Sequence, residues 1–314
     1  MFRILNYGAP LILNTPLRLT SLTFDQLFLY YKTKGIQLKE DTLKENLELL
    51  TSDGKYNILA QLLSDDPHID IQFALFNGTT KASTMYAVRN FGHMCILISL
   101  DKVLDYGDTI NVPQADERNR KVERKEVMIF SDGAFREAVI NAFAHNDWVY
   151  ENSPMFSAFQ DRIEITSMGT LPPTQTKEGF YRGISKPVNK NLSEIFVQLH
   201  ISERSGRDIP RIVAEYGKNV FEFSDNSITV TIPFDRLVLE NTPHDFFFTA
   251  NETADKIIEF CEQPKNRQEI LDQLGLKDRK NLMVYINRLI QQGRLAMTVP
   301  DKPHSKNQKY LTIK

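Results

Sequence analysis

Ser131-Asp132-Gly133-Ala134-Phe135-Arg136-Glu137-Ala138-Val139-Ile140-Asn141-Ala142-Phe143-Ala144-His145 is the stretch whose reading decides the fold. Ser131 and Asp132 are good helix starters, because a short side-chain oxygen can accept from the free amides of a first turn. The spacing predicts a helix from there through Ala144. Phe135, Ala138, Val139, Ala142 and Phe143 fall on one face, while Glu137, Asn141 and His145 recur every four residues on another. An apolar stripe thus runs beside a polar one. By spacing alone the polar stripe reads equally well as a solvated helix face or as a row of functional groups.

Downstream, Met155 to Phe159 and Arg162 to Thr166 read as two short strands around Gln160-Asp161, and Met168 to Pro173 as a loop. Gly183 to Asn191 is loop-like, Leu192 to Leu199 helical, and Ser205-Gly206 introduces a helix from Ile209 to Glu215. Val220 to Ser224 and Ile228 to Pro233 make a closing hairpin across Asp225-Asn226. Upstream, two helices are expected, Phe24 to Tyr31 capped by Ser21 or Thr23, and Leu43 to Leu50 led by Asp41. A third covers Ile58 to Leu63. Ile69 to Leu75 has a strand pattern, Asn77-Gly78 marks a tight turn, and His93 to Leu100 reads as an apolar extended run. The polar Asn111 to Lys125 reads as a loop or partly a helix.

After an aperiodic linker, three helices are predicted, Ala254 to Cys261, Arg267 to Leu274 and Arg279 to Gln292. Asn266 and Glu269 form a capping-box pair for the second. Leu282, Tyr285, Ile286, Leu289 and Ile290 form the apolar stripe of the third. Gly293 stops it, and Arg294 to Val299 can pair with Lys309 to Ile313. This is the winged-helix order, in which a third helix can enter a major groove while a basic hairpin lies near phosphates. Lys280, Asn281, Arg288, Lys302, Lys306 and Lys309 are the candidate DNA contacts. A small winged helix can also serve as a protein-protein module.

The 314 residues carry a net charge of −2, but Lys277 to Lys314 holds nine Lys or Arg against Asp278 and Asp301, about +7. An acidic body with a basic end is the electrostatic footprint of nucleic-acid contact. The two cysteines, Cys95 and Cys261, have no neighbours at zinc spacing, and the six histidines form no His-Glu-x-x-His pattern. Neither a structural zinc nor a disulfide is suggested. The longest apolar run, Met94 to Leu100, is about a third of a bilayer crossing, so no membrane partner and a cytoplasmic location are expected.

The run from Phe135 to Trp148, followed by Asp161-Arg162-Ile163-Glu164-Ile165 and Gly206-Arg207-Asp208-Ile209-Pro210, resembles the divergent GHKL-type ATPase domain of prokaryotic transcriptional regulators related to the Schlafen AlbA-like and helicase-related proteins. The resemblance implies an α/β fold, a Bergerat-type sandwich with a C-terminal winged helix. It also implies ATP and Mg²⁺ as cofactors. Carried over by position, Glu137 is the residue that polarises the attacking water and Asn141 the magnesium ligand, with His145, Gly169 and Gly206 also beside the nucleotide. The implied boundaries are a 1–53 helical segment, a remnant of or a linker from an AlbA-like domain, a 54–235 GHKL-like ATPase domain, a 236–252 linker and a 253–314 winged helix.

The pattern departs from the family at two places. Thr170 replaces the second glycine of Gly-Gly-Leu-Pro, and Asp208 replaces the second glycine of Gly-x-Gly-Ile-Pro. Asp208 brings a carboxylate where polyphosphate would pass, a repulsion of roughly 1 kcal/mol at about 4 Å in water and several times that when shielded. The sequence contains no Gly-x-x-x-x-Gly-Lys-Ser/Thr loop, so helicase motor chemistry is not supported. Three functions follow as expectations: a DNA-binding transcriptional regulator, with double-stranded DNA as partner and a homodimer as its expected form; a slow Mg²⁺-dependent ATPase; or a scaffold that has lost the nucleotide.

Overall fold

The computed structural model describes residues 11–112, 114–116, 125–172, 174–184, 186–203, 205–234, 256–274, 279–291, 294–300, 305 and 308–313. Backbone contacts divide the chain into two compact units, Met1–Asn241 and Thr242–Lys314.

The first unit is built on a six-stranded mixed sheet in the order β2-β1-β5-β6-β8-β7. Its strands are β1 (Gln72–Asn77), β2 (Thr84–Asn90), β5 (Met155–Ala158), β6 (Arg162–Met168), β7 (Phe221–Phe223) and β8 (Ser227–Pro233). β1 and β5 run parallel, and every other neighbouring pair is antiparallel. A separate hairpin joins β3 (Gln114–Asp116) to β4 (Lys125–Val127). Along β6 and β8, the buried Ile163, Ile165, Val230 and Ile232 alternate with polar residues, as a sheet covered on one face requires. The other face is tied by Arg162 to Glu164 at 2.9 Å and by Thr166 to Thr229 at 2.9 Å.

The covering layer is α4 (Ile96–Ile110), α5 (Asp132–His145) and α8 (Asp208–Tyr216), with α5 packed on β6, α4 and α8. This gives a two-layer α/β sandwich. The predicted α5 stripe of Phe135, Ala138, Val139, Ala142 and Phe143 is buried. Ser131 caps the helix, its Oγ accepting from the Ala134 amide at 3.3 Å. Shorter helices α6 (Lys177–Tyr181) and α7 (Lys190–Gln198) lie between β6 and α8 in sequence. The expected hairpins at Gln160-Asp161 and Asp225-Asn226 are present.

The amino-terminal segment differs from its expected form in several ways. α1 spans Asp25–Thr33, and neither Ser21 nor Thr23 caps it. The remote carboxylate of Asp65 does so, accepting from the Asp25 amide at 3.0 Å and the Gln26 amide at 2.7 Å, which also neutralises the positive end of the helix dipole. The helix expected from Leu43 to Leu50 stops at Asn46 as α2, after a 3₁₀ turn over Glu40–Thr42. α3 (Ile58–Leu63) is as expected, with Asn57 as its cap. His93 to Leu100 is not extended; from Ile96 it is the first part of α4, whose buried Ile96, Leu97, Leu100, Val103, Gly107 and Ile110 keep a helical period over 15 residues. Within seven residues an apolar run cannot show which period it follows. The described parts of Asn111 to Lys125 are Asn111 and Val112, which are loop, β3 and the first residue of β4; none is helical.

In the second unit a helix over residues 256–260 is followed by β9 (Lys265–Asn266), α9 (Arg267–Leu274), α10 (Arg279–Gln291), β10 (Leu295–Met297) and β11 (Lys309–Thr312). The three strands form one sheet in the order β10-β11-β9. The Asn266–Glu269 capping box is reciprocal: Asn266 Oδ1 accepts from the Glu269 amide at 3.0 Å, and Glu269 Oε2 accepts from the Asn266 amide at 2.7 Å. Leu282, Ile286 and Leu289 of α10 are buried against Ile257, Cys261, Ile270 and Tyr310. The Arg267 side chain donates to the Tyr310 hydroxyl at 2.8 Å and so ties α9 to β11. The linker residues 236–252 lie outside the described residues.

Candidate functional site

The polar stripe of α5 is not a solvated face. Glu137, Asn141 and His145 are each only partly exposed, because α8 and the loop after β6 close over them. Their helix is held by its C-terminal neighbour Asn146, which is fully buried. The Asn146 amide donates to the Asn152 carbonyl at 2.7 Å, and its oxygen accepts from the Met168 amide at 2.9 Å. Asn189 adds two bonds, to the carbonyls of Ala144 at 3.0 Å and Asn146 at 2.8 Å. Two buried amides therefore fix the end of α5 to the end of β6 and the start of α7, and neither can be lost without orphaning backbone groups.

Three hollows meet around α5 and α8. An apolar cavity of ≈ 90 Å³ is lined by Ala138, Asn141, His145, Ile165, Ser167, Gly169, Ile184, Gly206, Asp208 and Val230, among others. A cleft of ≈ 450 Å³ shares Asn141, His145, Gly206 and Asp208 with it. A third, of ≈ 720 Å³, is lined by Arg136, Glu137, Arg207, Asp208 and Arg211. The structure thus brings Asn141, His145, Gly169 and Gly206 to one cavity and places Glu137 on another. Gly206 and Asp208 line all three.

Asn141 donates through Nδ2 to the Glu137 carbonyl at 2.8 Å. Among the described residues its Oδ1 accepts no hydrogen bond, so it is available as an oxygen ligand. His145 Nδ1 accepts from the Val188 amide at 3.4 Å, and burial lowers its pKa to about 4. It is a neutral ring with its proton on Nε2. Glu137 and Asp208 share a hydrogen bond between their carboxyl groups. Burial first, and the Asp208 charge second, push Glu137 up to about 7, against the opposing charges of Arg136 and Arg211. Burial also raises Asp208. Two partly buried carboxyl groups side by side disfavour the ionisation of both.

Gly183 and Gly206 pack backbone against backbone at the cavity wall. Both adopt the left-handed region, at φ +74 and +64, and a Cβ on Gly183 would lie 1.8 Å from the Gly206 carbonyl oxygen. Backbone here meets backbone, which only glycine permits. Gly169 is also left-handed, at φ +106, with its amide donating to the Asn226 carbonyl at 2.8 Å. The Asn141 oxygen and the Glu137–Asp208 pair are the hard oxygen donors that a magnesium ion takes. The 90 Å³ cavity is well below the ≈ 300 Å³ and more of ordinary ligand pockets, whereas the adjoining clefts, which share Gly206 and Asp208 with it, are larger.

Sequence reasoning singles out Asp208 as a source of repulsion but not as the partner of Glu137. It misses Arg211, whose guanidinium lies over Gly133, where a Cβ would meet Nη2 at 2.2 Å. Glycine in that first turn and an arginine three residues into α8 are the available signals. Of the candidate DNA contacts, Lys309 is exposed at the start of β11. Lys280, Asn281 and Arg288 fall on α10 with side chains outside the described residues, as are Lys302 and Lys306 altogether.

Comparison with known proteins agrees with an ATPase-like body. The model of the family described as "Putative ATP-dependent DNA helicase recG C-terminal" matches residues 152–234. That segment is ATPase-like; it contains Gly169, Gly206 and Asp208 but begins after α5 has ended, so Glu137 and Asn141 lie outside it. The family described as "Filamentation induced by cAMP protein Fic-like, C-terminal domain" matches residues 253–312. The DIP2311 protein from Corynebacterium diphtheriae shares the α/β fold, with a TM-score of 0.56 and 12% identity over 96% of this chain. This chain spans 64% of that protein. Among curated proteins none matches. Among the described residues no helix is long and apolar enough to cross a membrane.

Proposed function

We propose that the chain is a DNA-binding transcriptional regulator in which a divergent GHKL-type body senses ATP and a C-terminal winged helix contacts duplex DNA. The observation that carries the nucleotide half is Asn141: its amide nitrogen is committed to the Glu137 carbonyl, which leaves its oxygen uncommitted on a side chain that lines the same cavity as Asp208. Asn141 would hold Mg²⁺ with Asp208, and a bound Mg²⁺ would supply the charge that lets phosphates approach this carboxylate. His145 and the glycines at 169 and 206 would line the nucleotide. Glu137 titrates near neutrality, which suits a general base, but its hydrogen bond to Asp208 favours sensing over rapid turnover. Calorimetry with ATP and Mg²⁺ tests this half: binding abolished in Asn141→Ala is expected, and no affinity for ATP or ADP in the unaltered chain overturns it.

The DNA half is supported by the helix-strand-helix-helix-strand-strand order of the second unit and by its positive charge. α10 is the helix that would enter the major groove, with Lys280, Asn281 and Arg288 toward the duplex and Lys302, Lys306 and Lys309 near phosphates. Charge reversal at these last three lysines is expected to weaken duplex binding and to reduce its log-log salt slope by about 0.9 for each phosphate that is no longer neutralised. Binding that ignores both salt and charge reversal would refute it. A homodimer reading two half-sites is the expected form, checked by sedimentation with and without duplex.

A further inference from the structure

Away from the cleft, two loops meet at the base of the β1–β2 hairpin. One is Asp66-Pro67-His68, between α3 and β1; the other is the Asn90-to-His93 turn that leaves β2. Asp66 Oδ2 lies 3.2 Å from His68 Nδ1, and Asp66 Oδ1 lies 3.2 Å from His93 Nδ1. One ligand atom from each of Asp66, His68 and His93 lies within 4.8 Å of the others. The far nitrogen of His93 meets a second carboxylate, Nε2 to Asp70 Oδ1 at 3.1 Å. Asp70 Oδ1 in turn accepts from Asn90 Nδ2 at 2.5 Å.

We infer that Asp66, His68 and His93 form a binding site for a divalent transition metal of the zinc class, with Asp70 as the outer carboxylate that orients His93. Zinc takes imidazole nitrogen and carboxylate oxygen at about 2.0–2.2 Å in a tetrahedron, whose edges are then about 3.3–3.5 Å. Each ring Nδ1 already stands 3.2 Å from one of the two Asp66 oxygens, His68 beside Oδ2 and His93 beside Oδ1, and one ligand atom from each residue needs to draw in from within 4.8 Å. A ligating histidine characteristically gives its other ring N–H to a carboxylate, which sets the tautomer and leaves the first nitrogen for the metal. His93 has this arrangement, with Nδ1 toward the cluster and Nε2 toward Asp70. Two imidazoles select zinc, nickel or copper over magnesium and calcium, which favour all-oxygen shells. The fourth position faces solvent, since the four side chains are 49–66% exposed.

The backbone holds this geometry without the metal. The His68 amide donates to Asp66 Oδ1 at 3.0 Å. The Gly92 amide donates to Asn90 Oδ1 at 2.9 Å, and the His93 amide to the Ile69 carbonyl at 3.1 Å. Gly92 allows this approach, since a Cβ there would lie 1.9 Å from the Ile69 oxygen. Both histidines adopt left-handed φ, +53 at His68 and +57 at His93, a conformation that side-chain-bearing residues keep only when their surroundings impose it. The metal clips the chain entering β1 to the chain leaving β2. Sequence spacing hides it, because the two histidines are 25 positions apart.

The test is zinc titration of the full chain, stripped with a chelator, in competition with a chromophoric zinc indicator. One equivalent of Zn²⁺ is expected to bind and raise the melting temperature, with no such effect from Mg²⁺. His68→Ala and His93→Ala should each abolish binding of that equivalent. Asp70→Asn should retain it with an affinity about 10–100-fold weaker. No bound zinc, or zinc held with equal affinity in both histidine variants, overturns the site. Should a variant fail to fold, zinc-edge X-ray absorption on the unaltered chain decides: a shell of two imidazoles and oxygen supports the assignment, and sulfur ligation by Cys95 or Cys261 overturns it.

Discussion

Glu137→Gln keeps the size and the hydrogen-bonding reach of the side chain toward Asp208 but removes the proton that titrates. Glu137 moves from an ordinary 4.5 to about 7 on folding. Between those values the folded chain holds a proton that the unfolded chain has released. This favourable contribution is complete below about pH 4.5 and is lost as the pH rises through about 7. At 1.36 kcal/mol per pH unit, the displacement sets a ceiling of roughly 3 kcal/mol, which falls to about 1–2 kcal/mol once solvent at the partly exposed cleft is allowed for. His145, lowered by burial to about 4, has the opposite sign, its contribution being present above about 6.5 and lost toward 4. The difference between the variant and the unaltered chain cancels His145. Glu137→Gln is therefore expected to match the parent at pH 5 and to exceed it at pH 8 by about 3–6 °C in melting temperature. Thermal melts at several pH values between about 5 and 8 check this. Curves that stay parallel over that range would refute the carboxyl pair.

Further outcomes follow from the packing. Gly183→Ala puts a methyl 1.8 Å from the Gly206 oxygen at φ +74; a loss of about 1–3 kcal/mol is expected in urea unfolding, and an unchanged midpoint would show that the two loops separate readily. Asp65→Ala removes both bonds to the start of α1 and should cost about 0.5–2 kcal/mol, together with faster amide exchange at Asp25 and Gln26. In the second unit, Ile286→Ala empties a fully buried position and should cost about 2–5 kcal/mol, seen as a lower melting transition of that unit.

α5 is legible in the sequence because both of its stripes are complete over 14 residues and Ser131 starts it. The hairpins at Gln160-Asp161 and Asp225-Asn226 are legible too, since their turn residues are local signals. α4 is not, since its opening, Met94 to Leu100, is apolar on every side, and the period emerges only with Val103, Gly107 and Ile110. β2 escapes a sequence reading because its edge position leaves it mostly exposed, without the alternation that marks a half-buried strand. The cap on α1 is a carboxylate 40 residues away, which no local pattern contains. At the cleft, spacing puts Glu137 and Asn141 on one face of α5, but the approach of Glu137 to Asp208 depends on how α8 docks on α5. The same limit hides Asp66, His68 and His93, which only the β1–β2 hairpin brings together.

The parallel junction between β1 and β5 makes a seam in the sheet. On one side β5, β6, β7 and β8 are joined antiparallel within residues 155–233; on the other, the first hairpin must wait for a long intervening stretch, Phe91 to Pro154, before its partner strand exists. Loop-closure entropy makes such a pairing late to form and early to open. Native-state hydrogen exchange should accordingly divide the sheet there, with the Phe73 to Leu75 amides exchanging as a group ahead of those of β6 and β8. A single shared opening energy across all six strands would mean that the seam is welded by the helices above it.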